Sequence, residues 1–186
     1  GGWNSLVGVA NLEYLNNSDY KKKINKHNVL SLGSNQTIDL EKIIALNPTV
    51  VFLTEYELNL KQKLNKHGIK TVLFEEYKSA SLIEQLSWIK VVGEHAGLLS
   101  TANVYLDSVK VLYEAVVADS LGSSKPIVFS GDYISGYWVC PASHSLVVQL
   151  IKDAGGEYPL KISSSSPTIK IDFEQFYELS NKSDFL

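Results

Sequence analysis

Cys140 and His144 are the one place where the sequence sets a nucleophilic thiol close to a base. A cysteine nucleophile needs a base beside it and a third group that orients the base. Here Pro141 lies between the two residues, and the pattern offers no orienting acid. The spacing therefore argues against covalent catalysis, and we interpret Cys140 as a small apolar side chain of the core.

Other catalytic and metal-binding signatures are missing from the sequence. The four histidines show neither H-x-H nor H-E-x-x-H spacing; they are His27, His67, His95 and His144. The glycine patterns of phosphate-binding loops and the G-x-S-x-G nucleophile elbow do not occur either. We therefore predict that the chain is not an enzyme. A zinc or manganese site built from distant loops stays open as an alternative.

Aromatic residues recur instead directly after the predicted strands. Tyr or Trp occurs in four of five such segments, which are 11–14, 33–36, 54–57, 75–77 and 132–138. Because ligands of parallel α/β sheets bind beyond the carboxyl ends of the strands, we expect these segments to meet a ligand. Aromatic rings with a hydroxyl or indole group suit a large, flat and partly apolar ligand. The alternative is that each ring only covers a strand end.

The elements that position these residues alternate between strand and helix in the first part of the chain. Apolar runs predict strands at 6–10, 29–32, 50–53 and 71–74. Amphipathic patterns predict helices at 37–46 and 58–66. Alternation of this kind predicts a parallel α/β lobe.

The pattern becomes helical after this lobe. A first helix follows the cap residue Ser81, and a second helix of about 19 residues begins at Ser100. At 1.5 Å per residue the second helix spans roughly 28 Å, so it either connects two lobes or is an ordinary crossover helix. The α/β alternation then restarts. The predicted divisions are an N-terminal lobe at 1–78, a connecting helical segment at 79–121 and the start of a C-terminal lobe at 122–186.

The bulk composition is that of a globular protein. The 186 residues are 45% hydrophobic and 20% charged, and the formal net charge is −3. This balance does not favour nucleic acid or an anionic membrane surface as the main partner. The 17 basic residues are all lysine, so the usual bidentate phosphate clamp of arginine is missing. The single cysteine excludes an internal disulfide, and no run is long enough to span a bilayer.

Several segments, in the same order along the chain, resemble one family of binding proteins. Asp39–Pro48 followed by Val50–Leu53 closely resembles the "lEkIlaLkPDlVi" signature of class III ABC substrate-binding proteins, with Thr49 in place of the usual acid. This is the iron-siderophore, haem and cobalamin type of periplasmic binding protein. Further segments similar to motifs of this family are Leu6–Ala10, Val29–Gly33, Leu64–Val72, Trp88–Gly97, Trp138–Ser145, Asp153–Tyr158 and Ile171–Glu174.

The resemblance implies an α/β fold of two Rossmann-like lobes with parallel sheets, joined by a long backbone helix. This is the chelatase-like, helical-backbone metal receptor architecture, in which the ligand is held between the lobes and no reaction is catalysed. Family members have a further strand before Trp3 and continue after Leu186 for most of the second lobe. By this resemblance the second lobe is expected to be incomplete, and the chain to be a fragment or a truncated relative.

The resemblance also assigns ligand-binding residues by position. Aromatic rings would pack against the apolar faces of a chelate, while hydroxyls and amides would bond its polar rim. Glu57 would be an acid that meets basic residues on the permease. The predicted ligand-binding residues are Asn11, Glu13, Tyr14, Ser34, Asn35, Glu55, Tyr56 and Tyr77 in the first lobe, and Tyr133, Tyr137, Trp138 and Ser143 in the second.

The function that the resemblance implies is that of the extracytoplasmic substrate-binding component of an ABC importer, either periplasmic or lipid-anchored at the membrane surface. It would capture a ferric siderophore, or alternatively haem or cobalamin, and deliver it to the permease in the membrane. We expect a monomer without a cofactor of its own and without a nucleic-acid partner. Three other interpretations stay open: a bare zinc or manganese receptor of related fold, an enzyme on a doubly wound α/β fold, and an interaction domain that keeps the fold without binding a ligand.

Overall fold

The chain forms two compact units in the computed structural model. The residues that the structure describes are 2–34, 37–120, 122 and 124–185. One unit comprises Gly1–Glu75 with Val91–Ser100, and the other comprises Glu76–Lys90 with Thr101–Leu186. Within the described ranges, no helix has the length and apolar character that a membrane crossing requires.

Seven strands and eight α-helices follow one another along the described chain. The strands are β1 (Gly8–Val9), β2 (Leu30–Ser31), β3 (Val51–Leu53), β4 (Thr71–Leu73), β5 (Asp132–Ile134), β6 (Tyr137–Pro141) and β7 (Thr168–Ile171). The helices are α1 (Ser18–Lys26), α2 (Leu40–Leu46), α3 (Leu58–Lys66), α4 (Leu82–Ser87), α5 (Ile89–His95), α6 (Leu99–Asp119), α7 (Leu146–Asp153) and α8 (Phe173–Ser180).

Two parallel strand pairs make up the sheet structure of the first unit. β1 pairs with β2, and β3 pairs with β4. Helices α2 and α3 pack over the second pair, so that Ile43, Leu53, Leu64 and Ile69 are buried together. Leu64 is completely buried at the centre of this cluster. The strand and helix alternation predicted for this part of the chain is therefore confirmed.

Helix α2 begins later than the sequence pattern predicted. The Asp39 side chain accepts the backbone N–H of Lys42 at 2.9 Å, which makes Asp39 the N-cap and Leu40 the first helical residue. The predicted helix at 37–46 included this cap and the two residues before it. The helix ends at Asn47, which adopts a left-handed conformation with φ of 44°.

The second unit combines isolated parallel bridges with an antiparallel sheet. The parallel bridges join Ile127 to Glu157 and Val128 to Phe185. The sheet has the order β5-β6-β7, with both neighbours antiparallel. The resemblance implied parallel pairing, and this antiparallel sheet is an addition that it did not include. The core of the unit consists of Phe129, Cys140, Val148, Tyr158, Leu160 and Ile171.

Helix α6 is the longest helix in the described ranges, with 21 residues against the 19 or so that were predicted. It starts in the first unit and continues in the second. The helical stretch before it is divided at Trp88 into α4 and α5. The predicted cap Ser81 is confirmed, because its hydroxyl accepts the backbone N–H of Glu84 at 3.2 Å.

Candidate functional site

A tight hairpin in the second unit brings two of the predicted aromatic residues together. Residues 135–136 have φ of 52° and 88°, which suits the two-residue turn that joins β5 to β6. Tyr133 is the cross-strand partner of Trp138, and their ring centroids lie 5.8 Å apart. Tyr137 falls on the opposite face of the hairpin because side chains alternate along a strand. There, the Lys170 ammonium lies 5.6 Å from the centre of the Tyr137 ring.

Helix α8 extends this pair into a larger group of rings. Trp138 stacks on Phe176, with centroids 3.7 Å apart and ring planes 4° from parallel. Phe173 lies 6.1 Å from Phe176, and Tyr177 lies 6.3 Å from Phe173. We call these five residues, Tyr133, Trp138, Phe173, Phe176 and Tyr177, the aromatic surface. Three of them are well exposed: Tyr133 at 63%, Phe173 at 66% and Tyr177 at 59%.

The three residues on α8 were missed by the sequence analysis. The N-cap of this helix is Asp172, whose side chain accepts the backbone N–H of Gln175 at 2.8 Å. The missed signal was the spacing of Phe173, Phe176 and Tyr177, which at i, i+3 and i+4 places three rings on one side of a helix.

The indole N–H of Trp138 is buried and has no hydrogen-bond partner among the described residues. A buried donor without an acceptor costs about 1–3 kcal/mol. The Trp138 ring stacks on Phe176, and both side chains pack against the core of the unit. The aromatic surface thus includes one ring that packs against the core and whose polar atom has no partner among the described residues.

A second group of predicted residues lies at the ends of β1 and β2. Asn11 donates its backbone N–H to the Gly33 carbonyl at 2.8 Å, which ties the segment after β1 to the segment after β2. Asn11 has φ of 57° and starts the 3-10 turn Leu12–Tyr14. Glu13 and Tyr14 are exposed on this turn, and Tyr14 is 73% accessible.

Ser34 belongs to the same end of the first strand pair. It is half-buried, and its hydroxyl lies 3.2 Å from the hydroxyl of Thr37. The predicted residue Asn35 lies outside the described residues.

The segment after β3 is organised around Glu57. Its carboxylate accepts the backbone N–H of Thr54 at 2.8 Å and the Thr54 hydroxyl at 3.2 Å. This arrangement caps the 3-10 turn Glu55–Glu57, in which Glu55 is half-buried and Tyr56 is 83% exposed. Glu57 therefore has a local structural role, and its docking role stays a prediction.

Two further predicted residues, Tyr77 and Ser143, belong to the second unit. Tyr77 is half-buried in the 3-10 turn Glu76–Lys78, which belongs to the second unit although the sequence analysis placed it in the first lobe. The Ser143 hydroxyl lies 3.1 Å from that of Ser163, and its backbone N–H donates to the Ile162 carbonyl at 3.0 Å. The described contacts of Ser143 are thus made with a loop and not with the aromatic surface.

Cys140 is a core side chain, as predicted. It is completely buried, and burial raises the pKa of its thiol to about 11. His144 is exposed. A thiolate is the reactive form of cysteine, so this thiol is poorly suited to act as a nucleophile near neutral pH. Among the described residues, no group of three or more His, Cys, Asp or Glu side chains is placed to hold a metal ion.

The first unit also contains a cavity of about 660 Å³. Residues of β1 and of β3 line it, and α5 contributes Val92 and His95. The His95 ring lies 5.7 Å from that of Phe52, measured between centroids. The Nε2 atom of His95 is buried and has no hydrogen-bond partner among the described residues.

The sequence of the chain matches a known protein family over almost its whole length. The model of the periplasmic binding protein family matches residues 1–182. The chain belongs to the periplasmic binding protein family. This confirms the resemblance found in the sequence.

Solved structures support the same α/β fold for this binding protein. An ABC transporter substrate-binding protein from Listeria monocytogenes EGD-e superposes with a TM-score of 0.71 at 21% identity, over 94% of this chain and 64% of that one. The haem complex of S. aureus IsdE gives a TM-score of 0.63 at 22% identity, over 95% and 66%. The class III fold that was predicted is confirmed.

A curated relative is also similar over most of this binding protein. An uncharacterized lipoprotein of Methanocaldococcus jannaschii is 24% identical over 171 residues, which are 89% of this chain and 41% of the relative. The chain therefore spans about two fifths of this relative and just under two thirds of the two solved chains.

Proposed function

We propose that the protein is the substrate-binding component of an ABC importer and that it captures a metal chelate outside the cytoplasm. The observation that carries this proposal is the aromatic surface, in a chain that belongs to the periplasmic binding protein family. Three exposed rings around a stacked, core-anchored pair offer a broad apolar face, and such a face suits a large ligand with flat apolar parts.

The aromatic surface is polar as well as apolar at its edges. Tyr133 and Tyr177 carry hydroxyl groups, and both side chains are more than half exposed. Hydroxyls of this kind bond the polar rim of a ligand while the rings cover its faces. A ferric siderophore is the first candidate because it combines aromatic or apolar parts with polar ligating groups, and haem and cobalamin are the alternatives.

The strand-end residues of the first unit are a second set of proposed ligand contacts. Asn11, Glu13, Tyr14 and Ser34 lie around the linked ends of β1 and β2, and Glu55 and Tyr56 follow β3. Ligands of parallel sheets bind at this end of the strands. The amide, hydroxyl and carboxylate groups of this set suit the polar rim of a chelate, and Tyr14 and Tyr56 supply exposed rings.

The location that we propose is extracytoplasmic, in the periplasm or at the membrane surface through a lipid anchor. Its support is the family match and the lipoprotein relative. Delivery to a membrane permease follows from the same assignment. Glu57 is the proposed acid that faces a basic residue of the permease.

Titration with chelates tests the proposal directly. A ferric hydroxamate siderophore, a ferric catecholate siderophore, haemin and cyanocobalamin are each added while tryptophan fluorescence and heat are recorded. We expect one of the four to bind with micromolar or tighter affinity and to quench Trp138. A variant with phenylalanine in place of both Trp3 and Trp88 leaves Trp138 as the only tryptophan. Flat titrations with all four ligands would contradict the proposal.

A pair of tyrosine variants locates the site. Tyr133 and Tyr137 lie four residues apart in one hairpin, but on opposite faces of it. We expect Tyr133→Ala to weaken chelate binding about 10-fold, because it removes an exposed ring from the aromatic surface. Tyr137→Ala is the matched control and should change affinity by less than about 3-fold. Equal losses for both variants would place the ligand elsewhere.

A further inference from the structure

The two ends of the strand pairs in the first unit carry charges of opposite sign. Carboxylates follow the strands, with Glu13 on the turn after β1 and both Glu55 and Glu57 on the turn after β3. Lysines precede the strands, because the last turns of α1 and α3 lead into β2 and β4; these lysines are Lys23, Lys26, Lys63 and Lys66. Since the strands of each pair are parallel, each pair has an acidic carboxyl end and a basic amino end.

The segments that follow strands share this acidic character in both units. Segments 11–14, 33–36, 54–57, 75–77 and 132–138 contain six acidic residues, and all 17 basic residues of the chain lie outside them. A site bordered by charges of one sign attracts ligands of the opposite sign and repels ligands of the same sign. A cationic chelate therefore matches these segments better than an anionic chelate.

The aromatic surface has no lysine ammonium over its exposed rings, as far as the described residues extend. Two lysines flank α8 in the sequence, but both are bound to other groups. Lys170 lies over Tyr137, on the face of the hairpin opposite to Tyr133. Lys182 forms an ion pair with Glu178, with a distance of 2.5 Å between the ammonium and the carboxylate. The exposed rings are thus open to a cation of the ligand.

Tyrosine rings of this protein do hold ammonium groups in other places. The Lys170 ammonium lies 5.6 Å from the centre of the Tyr137 ring, and the Lys78 ammonium lies 5.7 Å from the centre of the Tyr77 ring. The face of an aromatic ring attracts a cation because its quadrupole places negative charge there. The same attraction is available to a cationic group that a ligand brings to the aromatic surface.

Glu174 adds a carboxylate at the edge of the aromatic surface. It is exposed on α8, three residues before Tyr177, and residues with this spacing are neighbours on a helix. No lysine of the described chain forms an ion pair with it. A carboxylate beside an exposed ring strengthens the attraction for a cation and repels an anion.

We propose that this protein selects its chelate by charge. It binds a chelate that carries positive charge, and a cationic group of the chelate lies on the aromatic surface beside Glu174. A ferric hydroxamate with a free ammonium group belongs to this class, whereas a ferric catecholate and haem with its propionates are anionic. The proposal rests on the proposed function and names the charge class of its ligand.

A series of ferric hydroxamates that differ in charge tests the proposal. Ferrioxamine B carries a free ammonium group, its acetyl derivative is neutral at this group, and its succinyl derivative carries a carboxylate there. Because iron is coordinated identically in all three, calorimetric titration at low salt isolates the effect of the terminal charge. We expect ferrioxamine B to bind at least about 10-fold more tightly than the succinyl derivative, with the acetyl derivative between them. Equal affinities, or the reverse order, overturn the charge selection.

Added sodium chloride gives a second readout of the same series. Salt screens both the attraction of the cationic chelate and the repulsion of the anionic one. The affinities of ferrioxamine B and its succinyl derivative should therefore converge as the salt concentration rises. Affinities that stay equally far apart at high salt would mean that the terminal group is recognised by its shape, which contradicts selection by charge.

Two variants test the role of Glu174. We expect Glu174→Gln to reduce the preference for ferrioxamine B over its succinyl derivative by about 3-fold or more, because the carboxylate beside the rings is lost. Asp107→Asn removes the same charge from an exposed position on α6, outside the aromatic surface and the acidic segments, and should leave this preference almost unchanged. A ratio of two affinities cancels any loss of folded protein. Equal reductions by both variants would overturn the assignment to Glu174.

The other chelates distinguish failure of the charge selection from failure of the proposed function. Haemin or a ferric catecholate that binds more tightly than ferrioxamine B would support the proposed function and overturn the charge selection. If cyanocobalamin is the chelate that binds, its derivative with one amide hydrolysed to a carboxylate should bind at least about 10-fold more weakly, and equal binding overturns the selection. Flat titrations with every chelate would contradict both proposals.

Discussion

At the scale of single residues, Trp138 has two properties with opposite effects on the free energy of unfolding. Its ring is stacked at 3.7 Å on Phe176, and its indole N–H is buried without a partner among the described residues. The stack favours the folded state, whereas the orphaned donor disfavours it. A change that keeps an aromatic ring at this position and removes the N–H donor separates the two effects.

The first prediction concerns this separation. We expect Trp138→Phe to leave the free energy of unfolding unchanged or to raise it by up to about 1 kcal/mol, because the phenyl ring retains the stack and the unpaired donor is lost. Urea unfolding followed by circular dichroism measures this. Trp138→Ala, which removes both, should cost about 3–5 kcal/mol. A loss of more than 2 kcal/mol in the phenylalanine variant would contradict the prediction.

The second prediction concerns Cys140. Burial raises the pKa of its thiol from an ordinary value of 9.0 to about 11. Between these values the unfolded chain ionises while the folded protein keeps its proton, so unfolding releases a proton. The free energy of unfolding should therefore fall between about pH 9 and 11, by up to about 1.4 kcal/mol per pH unit.

Urea titrations at several pH values give this slope, and Cys140→Ala is the reference. Tyr158 belongs to the same core, and its pKa is also raised, first by burial and then by Cys140. The difference between the two proteins therefore reports the thiol together with its effect on Tyr158. Identical slopes in both proteins would be inconsistent with a thiol that stays protonated in the folded state.

At the scale of helices and strands, the sequence predicted best those features that depend on residues close together in the chain. The cap Ser81 and the long helix were predicted from residues a few positions apart, and both are present. The first-unit strands were predicted from short apolar runs, although the paired portions are shorter. Helix α2 started late because one predicted helical residue, Asp39, is the cap.

Long-range pairing is what the sequence did not reveal. Residues 132–138 were interpreted as one segment after a strand, but they contain β5, a turn and the start of β6. The Ser-Gly pair in the turn was an available hairpin signal. The pairing of β6 with β7 joins residues about thirty positions apart, and no local pattern specifies it. For this reason the stack of Trp138 on Phe176 was not predicted.

The third prediction concerns the turn that Glu57 caps. We expect Glu57→Gln to keep most of the stability, because the amide oxygen still accepts from Thr54. Glu57→Ala removes the acceptor and should cost about 0.5–1 kcal/mol. If Glu57 also meets a basic residue of the permease, the glutamine variant should bind permease-containing vesicles several-fold more weakly than the unchanged protein. Added salt should reduce this difference in binding, because it screens the charge of Glu57.

The two readouts distinguish the two roles of Glu57. If the alanine variant is less stable but binds the permease as well as the unchanged protein does, the role of Glu57 is limited to capping the turn. Unchanged permease binding by the glutamine variant at low salt argues against docking through this charge.

At the scale of the whole molecule, exposed apolar side chains complicate any binding measurement with haem. Helix α6 exposes Val104, Val111, Leu112 and Val116, each between 64% and 68%. Apolar chelates adsorb to such surfaces and to unfolded chains. Fluorescence quenching alone therefore does not separate a site from adsorption, whereas stability does.

The fourth prediction uses this distinction. A ligand that binds only the folded protein raises the free energy of unfolding by about 2.7 kcal/mol when its free concentration is 100 times its Kd, while a ligand that adsorbs to the unfolded chain lowers it. We expect the correct chelate to raise the urea midpoint. The rise should be smaller at the same chelate concentration in Tyr133→Ala, and unchanged when Val111 and Leu112 on α6 are both replaced by lysine. If the lysine variant instead shows no rise in the urea midpoint, the chelate is bound by the exposed face of α6 and not by the aromatic surface. The reason is that the two lysines remove apolar character from α6 and leave the aromatic surface unchanged.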